Sequence, residues 1–269
     1  EGGGSVRQDN TYTLIFLGAV ALASSLILAL ASQLLKDRQD LLRQADMKRN
    51  ILIAAGFMEC YSDAAEARRE MGSGVCKDVH LYYERHMRAL LLDHLGNAVD
   101  ELETRPELID PAREAEKPKE KRRFPVFLRI DEIDGREAIT AYCVPIYGKG
   151  LWSSLYGYLA LESDLDTVRG LSFYRQGETP GLGAEIQSRW FQDEFKGKKI
   201  LDANGKLVSI TVLKGKADPA SPLAAHQVDG ISGATLTTKG VTELLMKSLS
   251  MYEPYFNMIR RGGAAYDRR

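Results

Sequence analysis

The sequence predicts an α+β domain, an antiparallel sheet flanked by helices, carried on a single N-terminal membrane-spanning helix. Three observations predict it. The stretch "YTLIFLGAVALASSLILALASQLL", Tyr12 to Leu35, holds no charged residue and exceeds the ~20 apolar residues that cross a bilayer core as a helix. Beyond Phe124 the chain becomes a series of short runs rich in β-branched and aromatic residues, parted by turns such as "DG" and "NG", the texture of hairpin-linked strands. The final long element, "TTKGVTELLMKSLSMYEPYF", spaces Val241, Leu244, Leu245 and Leu249 along one helix face.

The predicted organisation is a tail (1–11), the span (12–35), a juxtamembrane helical and charged region with an insertion (36–124), and a C-terminal domain (125–269). After the span, "KDRQDLLRQADMKRNILIAAGF" reads as a continued helix with Leu41, Leu42, Ala45, Ile51, Leu52 and Ala55 on a rough common face. From Cys60 to about Arg105 the chain is charged and helix-prone. "RPELIDPAREAEKPKEKRR", Arg105 to Arg123, is proline-punctuated and charge-rich, so it reads as a linker whose basic run is a solvated face. Five strands follow: "PVFLRIDE", "EAITAYCVPIYG", "LYGYLALES", "TVRGLSFYRQ" and "KLVSITVLKG", with the helical pattern "GAEIQSRWFQDEF" between the last two.

A net charge of -1 gives no electrostatic footprint for nucleic acid. Cys60, Cys76 and Cys143 form no CxxC pair and no disulfide framework; a Cys60–Cys76 bridge requires an oxidising compartment. His80, His86 and His94 lack the i, i+4 spacing of helical metal ligands, and Cys76 with His80 supplies too few ligands for a closed site. No metal site and no catalytic acid–base or nucleophile arrangement is marked out.

Three short motifs can carry chemistry. In "DGISGATLTTKGV", Asp229 to Val241, the small residues Gly230, Ser232, Gly233 and Ala234 precede a helix expected to begin near Thr237 or Thr238, either of which can be its N-cap. A helix start of this kind attracts phosphate, and Thr235 can present its hydroxyl there. The residues alone do not separate Thr235 from Thr237 and Thr238. "GETPGLG", Gly177 to Gly183, is a tight loop that can pack on a planar ring, with Glu178 and Thr179 available to its polar edge. "GKGLWSS", Gly148 to Ser154, offers the Trp152 face, although a lone Trp at a strand start is more often a core residue. The P-loop and the dinucleotide fingerprint are both absent.

Taken in order behind an apolar N-terminal helix, these motifs resemble the C subunit of the Na+-translocating NADH:quinone reductase, and "EPYFNMIRRGG" resembles the end of that subunit. The resemblance covers roughly Val126 to Gly263. The related G-type subunit of the Rnf ferredoxin:NAD oxidoreductase shares the S/T-G-A-T site but matches "GKGLWS" less well; a membrane-anchored scaffold without cofactor is the alternative from another class. The resemblance implies FMN joined covalently through its phosphate to Thr235, the threonine of "SGAT". It implies a flavin transferase that reads Asp229, Ser232, Gly233, Ala234 and Thr235. It further implies that the "GETPGLG" loop lines the isoalloxazine with Thr179, Leu182 and Gly183 nearest, that Trp152 and Ser153 form a wall, and that Lys214 or His226 lies near phosphate or ring. Implied partners are other subunits of a membrane reductase complex, among which the flavin would relay electrons.

Orientation is open from the residues. Arg7 precedes the span while Lys36, Arg38, Arg43, Lys48 and Arg49 follow it, which places the domain in the cytoplasm, but long domains translocate largely regardless of flanking charge. The resemblance implies a bacterial inner-membrane protein with its flavin domain on the periplasmic side.

Overall fold

The computed structural model describes residues 5–57, 79–99 and 105–264. They belong to two compact units, Glu1–Gln44 and Ala45–Arg269. Helix α1, Ser5–Ala54, begins in the first unit and finishes in the second. Its stretch Thr11–Lys36 is long and apolar enough to cross a membrane, and is exposed throughout. The expected apolar face holds only at its far end: Ile51, Leu52 and Ala55 are buried, whereas Leu41 and Leu42 are exposed.

The second unit is built on a five-stranded antiparallel meander in the order β1 (Met87–Leu92), β2 (Phe124–Ile133), β3 (Arg136–Lys149), β4 (Ser154–Glu162) and β5 (Val168–Arg175). Alternation along the strands separates two apolar clusters. Val144, Ile146, Leu159 and Phe173 turn toward helix α5 (Thr235–Arg260), meeting Val241, Leu244, Leu245 and Leu249, all buried as their spacing predicts. Phe127, Cys143, Tyr158 and Ala160 turn the other way, to Ile51, Leu52 and Ala54 of α1, to Ala55 just beyond it and to Tyr83 of α2 (Val79–His86). Burial pushes the Cys143 thiol up, so it packs as a small apolar group. Cys60 and Cys76 lie outside the described residues.

Four expectations are corrected. "MRALLL", read as helix-prone, is β1, which pairs along its whole length with β2 and buries Met87 in one cluster and Leu92 in the other. Ladder bonds and two-sided burial outweigh the helix preference of Met, Ala and Leu. The second compact unit, Ala45–Arg269, includes this strand. The expected linker is ordered: α3 (Pro111–Glu116) is capped by Asp110, and buried Glu114 accepts from Lys117 Nζ at 2.6 Å and Arg123 N at 2.9 Å. Arg122 donates to the carbonyls of Ala115 and Lys117, so this basic run folds back on itself.

"KLVSITVLKG" yields only β6 (Thr211–Val212), paired in parallel with β7 (Gln227–Val228), because Ser209 adopts φ 61° and breaks the extended run. "GAEIQSRWFQDEF" divides into a 3-10 turn at Gly183–Gln187 and α4 (Arg189–Asp193), with Ser188 extended between them.

Helix α5 lies close on the sheet at Gly240, where a Cβ would stand 2.2 Å from the Lys149 carbonyl oxygen. Helix propensity favours alanine over glycine by about 1 kcal/mol, but the helix would have to lift from β3 to admit the methyl group, at about 1–3 kcal/mol. Gly240→Ala should therefore lower the melting temperature of the detergent-solubilised chain, measured by circular dichroism; a higher one would mean that helix propensity wins.

Candidate functional site

The three motifs meet at one end of the sheet. "GKGLWSS" forms the β3–β4 turn, closed by Gly150 N donating to Ser153 O at 2.8 Å. "GETPGLG" follows β5, and the Thr179 carbonyl accepts from both Leu182 N and Ala184 N at 3.1 Å, which coils the loop. "SGATLTT" opens α5. Strands β3, β4 and β5 are consecutive neighbours, so both loops emerge at the same sheet end.

Glu178 joins them. Its Oε1 accepts from Trp152 N (3.0 Å), Ser153 N (2.9 Å) and Ser153 Oγ (3.0 Å). Its Oε2 accepts from Leu151 N (3.1 Å) and from Thr237 Oγ1 (2.6 Å). The residue is 5% exposed. Burial by itself would raise the carboxyl, but the hydrogen bonds from Thr237, Trp152 and Ser153 outweigh it and hold the group below its ordinary value. Ser153 Oγ also accepts from Gly177 N at 2.7 Å, closing the loop against the turn. Glu178 was expected at a ring edge; both its oxygens are instead taken by protein donors.

The threonines now separate. Helix α5 starts at Thr235, with Ala234 as N-cap and no side-chain cap among the described residues, so Thr237 and Thr238 are first-turn residues and not the expected N-cap. Thr237 is 1% exposed and commits its hydroxyl to Glu178. Thr238 is 2% exposed and donates to the Ala234 and Thr235 carbonyls. Thr235 is exposed. Sequence spacing contained this distinction: Thr237 precedes Val241 and Leu244 by four and seven positions, and Thr238 precedes Val241 and Leu245 by three and seven, which puts both on the buried face.

Several large apolar side chains of these motifs are exposed. Trp152 is 72% exposed and so is no core residue; Leu151, Leu182 and Leu236 are exposed as well. Leu151 and Leu236 were not anticipated, although Leu236 stands off the apolar face defined by Val241, Leu244, Leu245 and Leu249, which marked it as an outward leucine. Leu182 reaches the motif start: a Cβ on Gly233, which has φ 75°, would lie 2.8 Å from its Cδ2. A Cβ on Gly183 would lie 2.6 Å from Thr237 Oγ1, so this contact needs glycine. Thr179 and Ser232 are exposed.

Asp229 serves the fold. Its Oδ1 accepts from Ala217 N at 2.8 Å and its own N–H donates to Glu194 Oε2 at 3.0 Å, fastening the segment that carries exposed Lys214. Gly230 N donates to Gly215 O at 2.7 Å in the same strap. His226 is turned away to the Lys199 carbonyl, 2.7 Å from Nδ1.

An uncapped helix start offers amide donors to an anion, a hydroxyl stands on it, and exposed apolar side chains flank it: a fit to a phosphorylated planar ligand. Comparison with known proteins agrees. Residues 150–250 match the family described as the FMN-binding domain. The C subunit of the Na+-translocating NADH-quinone reductase of Pseudomonas aeruginosa is 35% identical over 96% of this chain and 99% of that protein. The chain belongs to this C-subunit family. The Haemophilus ducreyi member is 36% identical over 87% of this chain and 86% of its own length. The crystal structure of the Parabacteroides distasonis member superposes with a TM-score of 0.62 at 33% identity, covering 82% of this chain and 96% of that one. The family is therefore that of a subunit of an ion-translocating oxidoreductase complex.

The direction of the Glu178 shift fixes a pH dependence. A carboxyl lowered in the folded state stabilises it fully above its unfolded pKa of about 4.3 and loses that contribution as pH falls through the lower folded value. The stability gap between the parent chain and Glu178→Gln should be widest near neutrality and narrow progressively below about pH 4. Paired thermal melts across pH 3–7 measure it; a gap independent of pH would show that the ionised form is not what the site holds.

Proposed function

We infer that this chain carries FMN as an ester of its phosphate with Thr235, and that it relays electrons between redox centres of neighbouring subunits in a Na+-translocating NADH:quinone reductase. The observation that carries this reading is the selection among three threonines. Thr237 and Thr238 are buried with their hydroxyls committed, while Thr235 is exposed on the opening turn of α5. A phosphate diester keeps one negative charge, which the positive end of a 26-residue helix favours.

Bound FMN supplies the redox chemistry. The chain's own residues hold and orient it. Trp152, Leu182 and Leu236 provide apolar surface for the isoalloxazine, and Thr179 and the loop backbone are available to its polar edge. Ser153 and Glu178 fix the turn that carries Trp152. Asp229 orders the strap bearing exposed Lys214, whose ammonium group is available to oppose phosphate charge. Thr235, Ser232 and Gly233 are the exposed part of the segment a flavin transferase would have to reach. Covalent attachment keeps the cofactor on an otherwise open surface.

The apolar Thr11–Lys36 helix supports a membrane anchor, and on this reading the FMN domain stands on the periplasmic side of a bacterial inner membrane. Long domains escape the positive-inside tendency that the basic residues after the span would otherwise express.

Thr235→Ala, produced beside a flavin transferase, should fold as the parent does and lose the whole FMN adduct from its intact mass; an adduct of unchanged occupancy in that variant would refute Thr235 as the attachment point. For orientation, a reporter enzyme that is active only in the periplasm, fused after Arg269, should be active, and the matching cytoplasmic reporter silent. The reverse pattern would place the domain inside the cell.

A further inference from the structure

Glu178 is more than a tie in the fold, and its further role rests on the reading of a flavin at Thr235. Its carboxylate accepts five hydrogen bonds, all from protein donors, which leaves it no capacity to serve a ligand directly. Those donors belong to separate segments, the β3–β4 turn and the first turn of α5, while Glu178 itself stands on the loop after β5. Thr237, its helix partner, is two residues from Thr235, so the buried anion is held beside the helix end that bears the phosphate.

We propose that Glu178 is the positioning residue of the flavin site, locking the Trp152 turn onto the start of α5 and lowering the reduction potential of the flavin by its fixed negative charge. Two physical effects act together. Three consecutive amides, Leu151, Trp152 and Ser153, point at one carboxylate, which holds the turn in a single arrangement and with it the exposed indole. An electron taken up from a neighbouring redox centre adds one negative charge to the flavin, and a nearby buried anion, poorly screened, opposes it. Glutamine keeps the volume but removes the charge and replaces one acceptor by a donor, so it cannot satisfy all five donors.

The full-length chain, produced with a flavin transferase and solubilised in detergent, is compared with Glu178→Gln. The variant should still carry FMN by intact mass but be reduced more readily. At a fixed poise its ratio of reduced to oxidised flavin should rise on the order of threefold to tenfold; tenfold corresponds to about 59 mV for one electron. In a flavin-free Thr235→Ala background, Glu178→Gln should raise hydrogen exchange of the 151–153 amides by about tenfold or more. Thr237→Val, which removes only the helix bond and keeps the charge, should leave the potential at the parent's value. It should speed exchange at Thr238, whose N–H makes the first amide bond of the helix, to Ala234 O at 3.0 Å.

An FMN-bearing Glu178→Gln chain with the parent's potential overturns the electrostatic role, and unchanged protection of the 151–153 amides overturns the positioning role. Should Glu178→Gln fail to fold, the Thr237→Val chain decides: unchanged exchange at Thr238 refutes the lock. If the parent itself carries no FMN, the flavin reading fails, and the exchange comparison still judges Glu178.

Discussion

The ionised carboxylate of Glu178, buried among five hydrogen-bond donors, is the interaction on which the site's form depends. A carboxylate withdrawn from water is stable only if its lone pairs are answered, and here they are answered by three backbone amides and two hydroxyls. The three segments involved have little structure of their own: the donors sit on a four-residue turn and on a helix start without a side-chain cap, and Glu178 itself stands on a glycine-rich loop. The anion makes the three into one surface.

That arrangement explains the glycines around it. A Cβ on Gly150 would be 2.5 Å from Glu178 Oε1, and one on Gly183 would meet Thr237 Oγ1. The backbone of both loops must come close to a single side chain, and side chains at these positions would keep it away. The same closeness recurs where α5 crosses β3 at Gly240, which sets the height of the helix over the sheet and so the level at which Thr235 stands relative to the Trp152 turn. Packing of the helix and geometry of the site are thus one constraint.

The exposed surface has the complementary logic. Four apolar side chains of the three motifs, Leu151, Trp152, Leu182 and Leu236, are left in solvent, although the core behind the motifs is well buried. Apolar exposure concentrated beside a few polar groups is what a planar ligand with a charged tail requires.

The sequence by itself determined the apolar span, strands β2 to β5, the buried face of α5 and the identity of the three motifs, because each of these is a local pattern: run length, alternation or helical spacing. It did not reveal β1, whose composition favours helix until β2 offers a partner edge, nor the short extent of β6, which a left-handed Ser209 cuts off. Within the site, the spacing of Thr237 and Thr238 to Val241, Leu244 and Leu245 already placed both on the inner face. Their removal as competitors to Thr235 also needed the Glu178 bond, formed across 59 residues of chain. Only the tertiary structure decided that Glu178 faces inward and Trp152 outward. Periodicity reports which face of its own element a residue occupies, whereas the partners of a loop residue are set by which strands lie side by side, and that is a property of the assembled sheet.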